Sequence, residues 1–279
     1  MFSVRGKSAI VTGASSGISL AFARLLLSKG CNVVVADLSR GLGEDLYTAF
    51  PHQARFKKCD VTNWRDWDDV FTYARKEFGG VQIVTNGAGI FEPHWSNFWH
   101  NLERDSYKTL DINLAGTIHG TRLAIREIMR QRQPGVILNI TSIAAQLPRM
   151  STPIYAASKA AVSAFTRSLA ELHNDFDVKV VAVAPGVVKT PLWTDHPEKT
   201  KLLTDNDKWV TAEETAQVML DLVQEEKYPG GTIVESSLGQ TRIVRHDSPL
   251  PSGDGTTVSN EEAIIEEARE ILRQERDGS

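Results

Sequence analysis

Cysteine is scarce: Cys31 and Cys59 are the only two in 279 residues. They form no C-x-x-C pair and no metal-like spacing, which excludes a disulfide-stapled scaffold and points to reduced, buried thiols in a reducing compartment. No apolar run reaches the length of a membrane span, and the opening Met1-Phe2-Ser3-Val4-Arg5-Gly6-Lys7 carries no signal-peptide-like apolar stretch. A cytoplasmic location with no membrane partner is therefore expected. A block of one charge is lacking too. The 31 Lys and Arg are scattered among 35 Asp and Glu for a net charge of −4, so nucleic acid is not an expected partner. His94 and His100 stand apart from carboxylate or thiol partners in the sequence, so no metal is expected. No internal repeat is found, and the sequon Asn139-Ile140-Thr141 falls inside an apolar run that reads as a core strand, which makes it a chance match.

What is present is a 41% hydrophobic chain, enough to bury a large core. Short β-rich apolar runs alternate with longer segments of helical period, the pattern of repeated βαβ units. Strands are expected over 8–12, 32–37, 55–60, 81–85, 135–140, 179–184 and 231–235, and helices over 18–28, 42–49, 64–77, 107–132, 155–174 and 212–224. Unbroken apolar strands such as Val33-Val34-Val35-Ala36 imply that helices cover both faces. The expected fold is α/β: a single Rossmann-like doubly wound domain with a parallel seven-stranded sheet over 1–250. A substrate lid is expected near 190–210, and a linker with an appended helix over 251–279. The run Ser248-Pro249-Leu250-Pro251-Ser252-Gly253-Asp254-Gly255 reads as that linker. Beyond it, 260–276 carries Ile264, Ala268, Ile271 and Leu272 on one stripe, with Asn260 as N-cap. Such a helix docks on its own domain, frays, or meets a partner subunit.

The first strand runs into Thr12-Gly13-Ala14-Ser15-Ser16-Gly17-Ile18-Ser19, with a helix opening near Gly17. Glycines there let the backbone turn tightly against a pyrophosphate, whose charge meets the amides and positive end of the helix. Gly13, Ser15, Ser16, Gly17 and Ile18 are thus candidate cofactor contacts. About twenty residues on, Asp37 ends the second strand, where a carboxylate accepts from ribose hydroxyls and repels a 2′-phosphate, so NAD is expected over NADP. Arg40 works against that preference, and Asp37 read alone is also compatible with a surface acid or a helix cap.

Taken together, Thr12-Gly13-x-x-x-Gly17-Ile18, Asp60-Val61, Asn86-Gly87-Ala88-Gly89, Asn113, Ser142, Tyr155-x-x-x-Lys159 and Pro185-Gly186-x-x-x-Thr190 resemble the short-chain dehydrogenase/reductase family, in order and over roughly 4–244. The last strand and the segment after it, through Arg245-His246-Asp247-Ser248-Pro249, are similar to the 15-hydroxyprostaglandin dehydrogenase-like members. Two positions depart from the family pattern. Ser19 stands where a third glycine is usual, with some cost to dinucleotide affinity expected. Gly87 replaces the second asparagine of Asn-Asn-Ala-Gly, which removes a hydrogen-bonding group and lowers the expected local stability.

The chemistry that the resemblance implies is hydride exchange between a nicotinamide and a secondary alcohol or ketone, which needs a base beside the hydroxyl. Tyr155 is that candidate. A phenol ionises near pH 10 and needs positive charge nearby to act at neutral pH. Lys159 lies four residues on, hence on the same helix face. The resemblance further implies that Lys159 holds the nicotinamide ribose, that Ser142 bonds the substrate oxygen in preference to Thr141, and that Asn113 helps hold a proton-relay water. It also implies that Asp60 and Val61 contact adenine, that Asn86 and Ala88 line the cofactor cleft, and that Pro185, Val188 and Thr190 cover the nicotinamide. A homodimer or homotetramer built on the two long helices, with Ala156, Ala157, Ala160, Ala161 and Ala164 as a smooth surface, is implied as well.

The aromatic segments 90–99 and 192–209 fall where ligands of open α/β sheets bind. They point to a bulky, lipophilic alcohol or ketone as substrate, although Trp95, Trp99, Trp193 and Trp209 serve equally well as packing residues. The expected function is oxidation of a secondary alcohol with NAD+. The same parts run in reverse would make an NAD(P)H-dependent ketoreductase of secondary metabolism. A non-catalytic dinucleotide-binding protein would be expected to lose the tyrosine or the lysine.

Overall fold

The computed structural model describes residues 1–100, 106–245 and 260–278. In chain order its first half comprises β1 (Ser8–Thr12), α1 (Gly17–Ser28), β2 (Asn32–Asp37), α2 (Glu44–Ala49), β3 (Ala54–Lys58), α3 (Trp64–Phe78), β4 (Ile83–Asn86), α4 (Lys108–Leu110) and α5 (Gly116–Gln131). The second half comprises β5 (Gly135–Ile140), α6 (Pro153–Ser168), α7 (Leu172–Phe176), β6 (Val178–Pro185), α8 (Pro191–Thr194), α9 (Pro197–Thr200), α10 (Ala212–Gln224), β7 (Ile233–Ser237), β8 (Gln240–Ile243) and α11 (Glu261–Asp277). The sheet order is β3-β2-β1-β4-β5-β6-β7-β8. The chain therefore switches direction beside β1, which pairs with β2 on one side and β4 on the other, and a doubly wound sheet opens a crevice at such a point.

Alternation in the strands sorts the core into two layers. Val33 and Val35 of β2 join Phe22, Leu26 and Leu27 of α1 and Met219 and Val223 of α10 on one face. Val34 and Ala36 join Trp67, Val70 and Phe71 of α3 and Ala124 and Ile128 of α5 on the other. Local signals set several helix ends. Asn63 accepts from Arg65 N at 3.0 Å to cap α3, and Thr211 with Glu214 forms a capping box at the start of α10. Both cysteines are free and buried, and burial pushes each thiol up to about 12.

The sheet has eight strands where seven were expected. β8 folds back antiparallel on β7 across a two-residue turn, with Glu235 opposite Arg242. All four of its residues are exposed, so no burial pattern advertised it. The expected helix 107–132 is interrupted by a π-wound turn, Asp111–Ala115. The expected helix 155–174 begins two residues earlier and breaks after Ser168; the chain there runs so close to Gly230 and Gly231 that an added Cβ on either would meet Ala170 within 2.8 Å. The proposed linker lies outside the described residues. α11 lies against α5. Arg122 pairs with Glu275, Arg269 meets Asp175 at 2.8 Å, and Leu272 packs into the core on that side. Ile264 and Ile271, expected on the same stripe as Leu272, are exposed. Among the described residues no helix is long and apolar enough to cross a membrane.

Candidate active site

Loops at the carboxyl ends of β1 to β6 enclose a cavity of about 750 Å³. Of the residues singled out in the sequence, Gly13, Ser16, Gly17, Ile18, Asp37, Asp60, Val61, Ala88, Ser142, Tyr155, Lys159, Pro185, Val188 and Thr190 line it. Ser15, Asn86 and Asn113 do not.

At the β1–α1 turn, Gly13 has φ +65°, and a Cβ there would meet Ala88 backbone atoms at 2.8 Å. Only glycine permits that approach. Thr12 Oγ1 holds the two loops together by accepting from Gly87 N at 3.0 Å. The helix then opens without help. Ser16 at the N-cap makes no side-chain cap hydrogen bond, and no acid stands in the first turn, which leaves amide donors and the positive end of the helix for an anion. Asp37 is held across from it, where Oδ2 accepts from Ser15 N at 3.0 Å and Oδ1 from Leu38 N at 2.7 Å. Arg40 is turned elsewhere. It pairs with Glu44 at 3.0 Å, lies over the rings of Tyr47 and Phe56, and is absent from the cavity wall.

Tyr155 enters from the first turn of α6 and is 8% exposed. Burial pushes its phenol above the ordinary value, and the neighbouring Ser142 hydroxyl pulls it back. Lys159, one turn on, has Nζ 5.6 Å from the tyrosine ring centroid and donates to Ile140 O at 2.8 Å. Loss of hydration brings its pKa down to about 8. Thr141 and Ser142 both line the cavity; Thr141 Oγ1 also donates to Lys159 O at 2.7 Å, and Ser142 Oγ accepts from Ala144 N at 3.2 Å.

The three residues off the cavity wall hold the frame. Asn113, in the π-wound turn, accepts from Ile90 N at 2.9 Å, returns a bond from Nδ2 to Ile90 O at 3.0 Å, and reaches Ser158 at 3.2 Å. Asn86 points between sheet and helix, donating to Thr121 Oγ1 and to Asn139 Oδ1. Ser15 donates its hydroxyl to Ser39 O. The Asn139 of the chance sequon is fully buried in β5. The two departures from the family pattern meet in space: a Cβ on Gly87 would lie 2.1 Å from Ser19 Oγ. Gly87 therefore leaves room for the Ser19 hydroxyl.

On the outer side, Val188 and Val210 form a bridge at the base of the segment that contains α8 and α9. Phe91 stands edge-on to Tyr155 at 4.6 Å and against Trp193 at 4.8 Å, and Trp193 meets Trp209 at 6.1 Å. Phe91 and Trp193 line the cavity, as do Leu147, Leu192, Leu202 and Leu203. Trp95, Phe98 and Trp99 of the first aromatic segment are instead exposed. Beside the site, the buried charged groups Glu92 and Lys199 carried no sequence signal. Each is an ordinary surface residue by type, and only the packing of two distant loops brings them together. Gly89 was legible only as part of a motif. A Cβ there would sit 3.3 Å from Asn113 Oδ1 and 3.7 Å from Lys159 Nζ, so the glycine keeps open the space beside the lysine.

The β1–α1 turn and the buried tyrosine and lysine thus share one cavity, and comparison with known proteins shows the family to which such a chain belongs. The short chain dehydrogenase family model matches residues 7–201. The chain is 35% identical over 198 residues to the Homo sapiens 15-hydroxyprostaglandin dehydrogenase [NAD(+)], covering 68% of this chain and 71% of that protein. It is 34% identical over 208 residues to the Homo sapiens 3-hydroxyacyl-CoA dehydrogenase type-2, covering 71% and 79%. The chain belongs to the short-chain dehydrogenase/reductase family and is an oxidoreductase that acts on CH–OH groups.

Proposed function

We propose that the protein oxidises a secondary alcohol of a bulky lipophilic substrate to the ketone with NAD+, using Tyr155 as the acid/base. The observation that carries this reading is the buried Tyr155, flanked by Ser142 and Lys159, at the junction of the dinucleotide cleft and the pocket under Phe91 and Trp193. The uncapped start of α1 and the open space at Gly89 fit a dinucleotide. Asp37 on the wall and Arg40 turned away favour NAD over NADP, and the two relatives named above are dehydrogenases, one of them named for NAD(+).

When bound, NAD+ supplies the hydride acceptor and a positive charge near the phenol. Ser142 holds the substrate oxygen and orients it toward Tyr155. Tyr155 takes the hydroxyl proton as the carbonyl forms. Lys159 would hold the nicotinamide ribose and, as an ammonium, favours the phenolate against the burial that opposes it. Asn113 fixes the strap at Ile90 and so the wall of the proton path. Residues 1–250 form the catalytic unit with 190–210 as its lid, and subunits pair through α6, where Ala157, Ala160 and Ala164 are exposed.

The test pairs binding with turnover. Thermal stability is measured with NAD+, NADH, NADP+ and NADPH, and a ligand at one hundred times its dissociation constant adds about 2.7 kcal/mol. Turnover is then read with a 15-hydroxyprostaglandin and a 3-hydroxyacyl-CoA. Stabilisation by NAD(H) alone, with turnover lost in Tyr155→Phe, supports the reading. Stabilisation by NADP(H) turns it toward the ketoreductase, and undiminished turnover by Tyr155→Phe sinks the mechanism.

A further inference from the structure

Glu92 is 0% exposed and sits at φ +44°, a left-handed conformation that non-glycine residues seldom hold. Every acceptor it has is committed. Oε2 accepts from Tyr155 N at 2.8 Å, and Oε1 accepts from Phe98 N at 3.1 Å. Its main-chain O accepts from Lys199 Nζ at 2.7 Å and from Asn97 Nδ2 at 3.3 Å. The bond to Tyr155 is a helix cap supplied from outside the helix. The N-cap of α6, Thr152, gives no side-chain cap hydrogen bond, and its first residue, Pro153, has no amide to cap. A carboxylate at that end also meets the positive pole of the helix. The bond to Lys199 comes from α9 in the lid, and the Lys199 ammonium lies 5.1 Å from the centre of the Phe91 ring that faces Tyr155.

We infer that Glu92 is the positioning residue of this site: its carboxylate holds the turn of α6 that carries Tyr155, and its carbonyl latches the lid through Lys199. One strained residue thus ties the phenol, the substrate strap at 90–99 and the lid to a common point. Its side chain points at main-chain amides and touches neither the cavity nor the reacting atoms, so it acts through Tyr155. A glutamine in its place offers one carbonyl oxygen and sets an NH2 group against the second amide, which breaks one of the two bonds.

The inference rests on Tyr155 being the acid/base, and the experiment separates the two. With NAD+ and the better of the two alcohol probes above, Glu92→Gln is expected to lower kcat by about ten- to a hundredfold, the scale of a small misplacement of a catalytic group. Lys199→Met, which keeps the stem over Phe91, is expected to raise KM about tenfold with kcat within about twofold. A second readout needs no substrate: the Cζ resonance of Tyr155 in 13C-tyrosine-labelled protein with NAD+, one of five tyrosines and assigned by its loss in Tyr155→Phe. Its shift and titration midpoint should move in Glu92→Gln and stay in Lys199→Met. A Glu92→Gln protein with the parent kcat and the parent Tyr155 resonance overturns the inference, even if its melting temperature falls. Should that variant not fold, an unchanged KM in Lys199→Met overturns the latch by itself. Failure of the underlying reading looks different, because Tyr155→Phe would then turn over as the parent does.

Discussion

Gly87 and Ser19 are opposite sides of one fitted contact, and a double-mutant cycle measures the fit. In Gly87→Ala the new methyl lies 2.1 Å from Ser19 Oγ, 2.8 Å from Thr12 O and 3.2 Å from Ile140 Cδ1. The serine hydroxyl is buried but sits on a single rotatable bond. The Thr12 carbonyl belongs to the backbone that carries the phosphate turn and yields only by moving β1 or the strap. Overpacking of this kind costs about 1–3 kcal/mol. Taking 2 kcal/mol as a round middle, a chain of this size loses about 3–4 °C in Tm. Ser19→Gly removes the nearest obstacle at a helix-propensity cost of about 0.5 kcal/mol. Because the Thr12 contact remains, the double variant should recover about half of the overpacking, a coupling near 1 kcal/mol. Urea denaturation of the four proteins followed by tryptophan fluorescence, with NAD+ affinity read in parallel, gives the cycle. Effects that add to within about 0.3 kcal/mol would refute the account and return Gly87 and Ser19 to independent substitutions.

Lys159 makes stability depend on pH with a definite sign. Its folded pKa, about 8, lies below the ordinary 10.5, so between those values the unfolded chain holds a proton that the folded chain lacks. Its contribution is complete above that window and is lost as pH falls through it. Lys159→Met should therefore be more stable than the parent at pH 7, with the gap narrowing by pH 9 in urea melts. Asp37→Ala removes the acceptor for the Ser15 and Leu38 amides and should weaken NAD+ binding while narrowing the preference against NADP+ in calorimetry. Truncation after Ser259 deletes α11, whose ion pairs are largely exposed and worth about 0–1 kcal/mol each. A Tm loss of a few degrees with kcat unchanged is expected, and a loss of turnover would show that α11 acts on the site.

Much of this protein could be read before its structure. Short unbroken apolar runs and period-3.6 patterns placed the seven parallel strands and the main helices, because a strand buried on both faces must be apolar throughout and a covering helix must be apolar on one side. Gly13 and Gly17 were legible because a left-handed turn between strand and helix admits little else. Tyr155 and Lys159 share a helix face by spacing alone.

Tertiary structure decided the rest, wherever the cause lay in residues far apart in the chain. β8 is exposed on every residue, so it exists only because β7 offers an open edge. The helices expected over 107–132 and 155–174 are interrupted by a π-wound turn and by a break after Ser168, and neither leaves a mark on hydrophobic period. Asn113 and Ser15 turn away from the cavity because buried amide and hydroxyl groups must find partners, and the nearest partners lie in the frame; Asn86 turns the same way with Nδ2 bonded to Thr121 and Asn139, while its Oδ1 is buried without a partner among the described residues. Leu272 alone of its stripe is covered, since α5 presents arginines that fix the rotation of α11. Glu92 and Lys199 are the extreme case: residues that composition assigns to the surface are buried together because loops more than a hundred positions apart close on one another beside Tyr155.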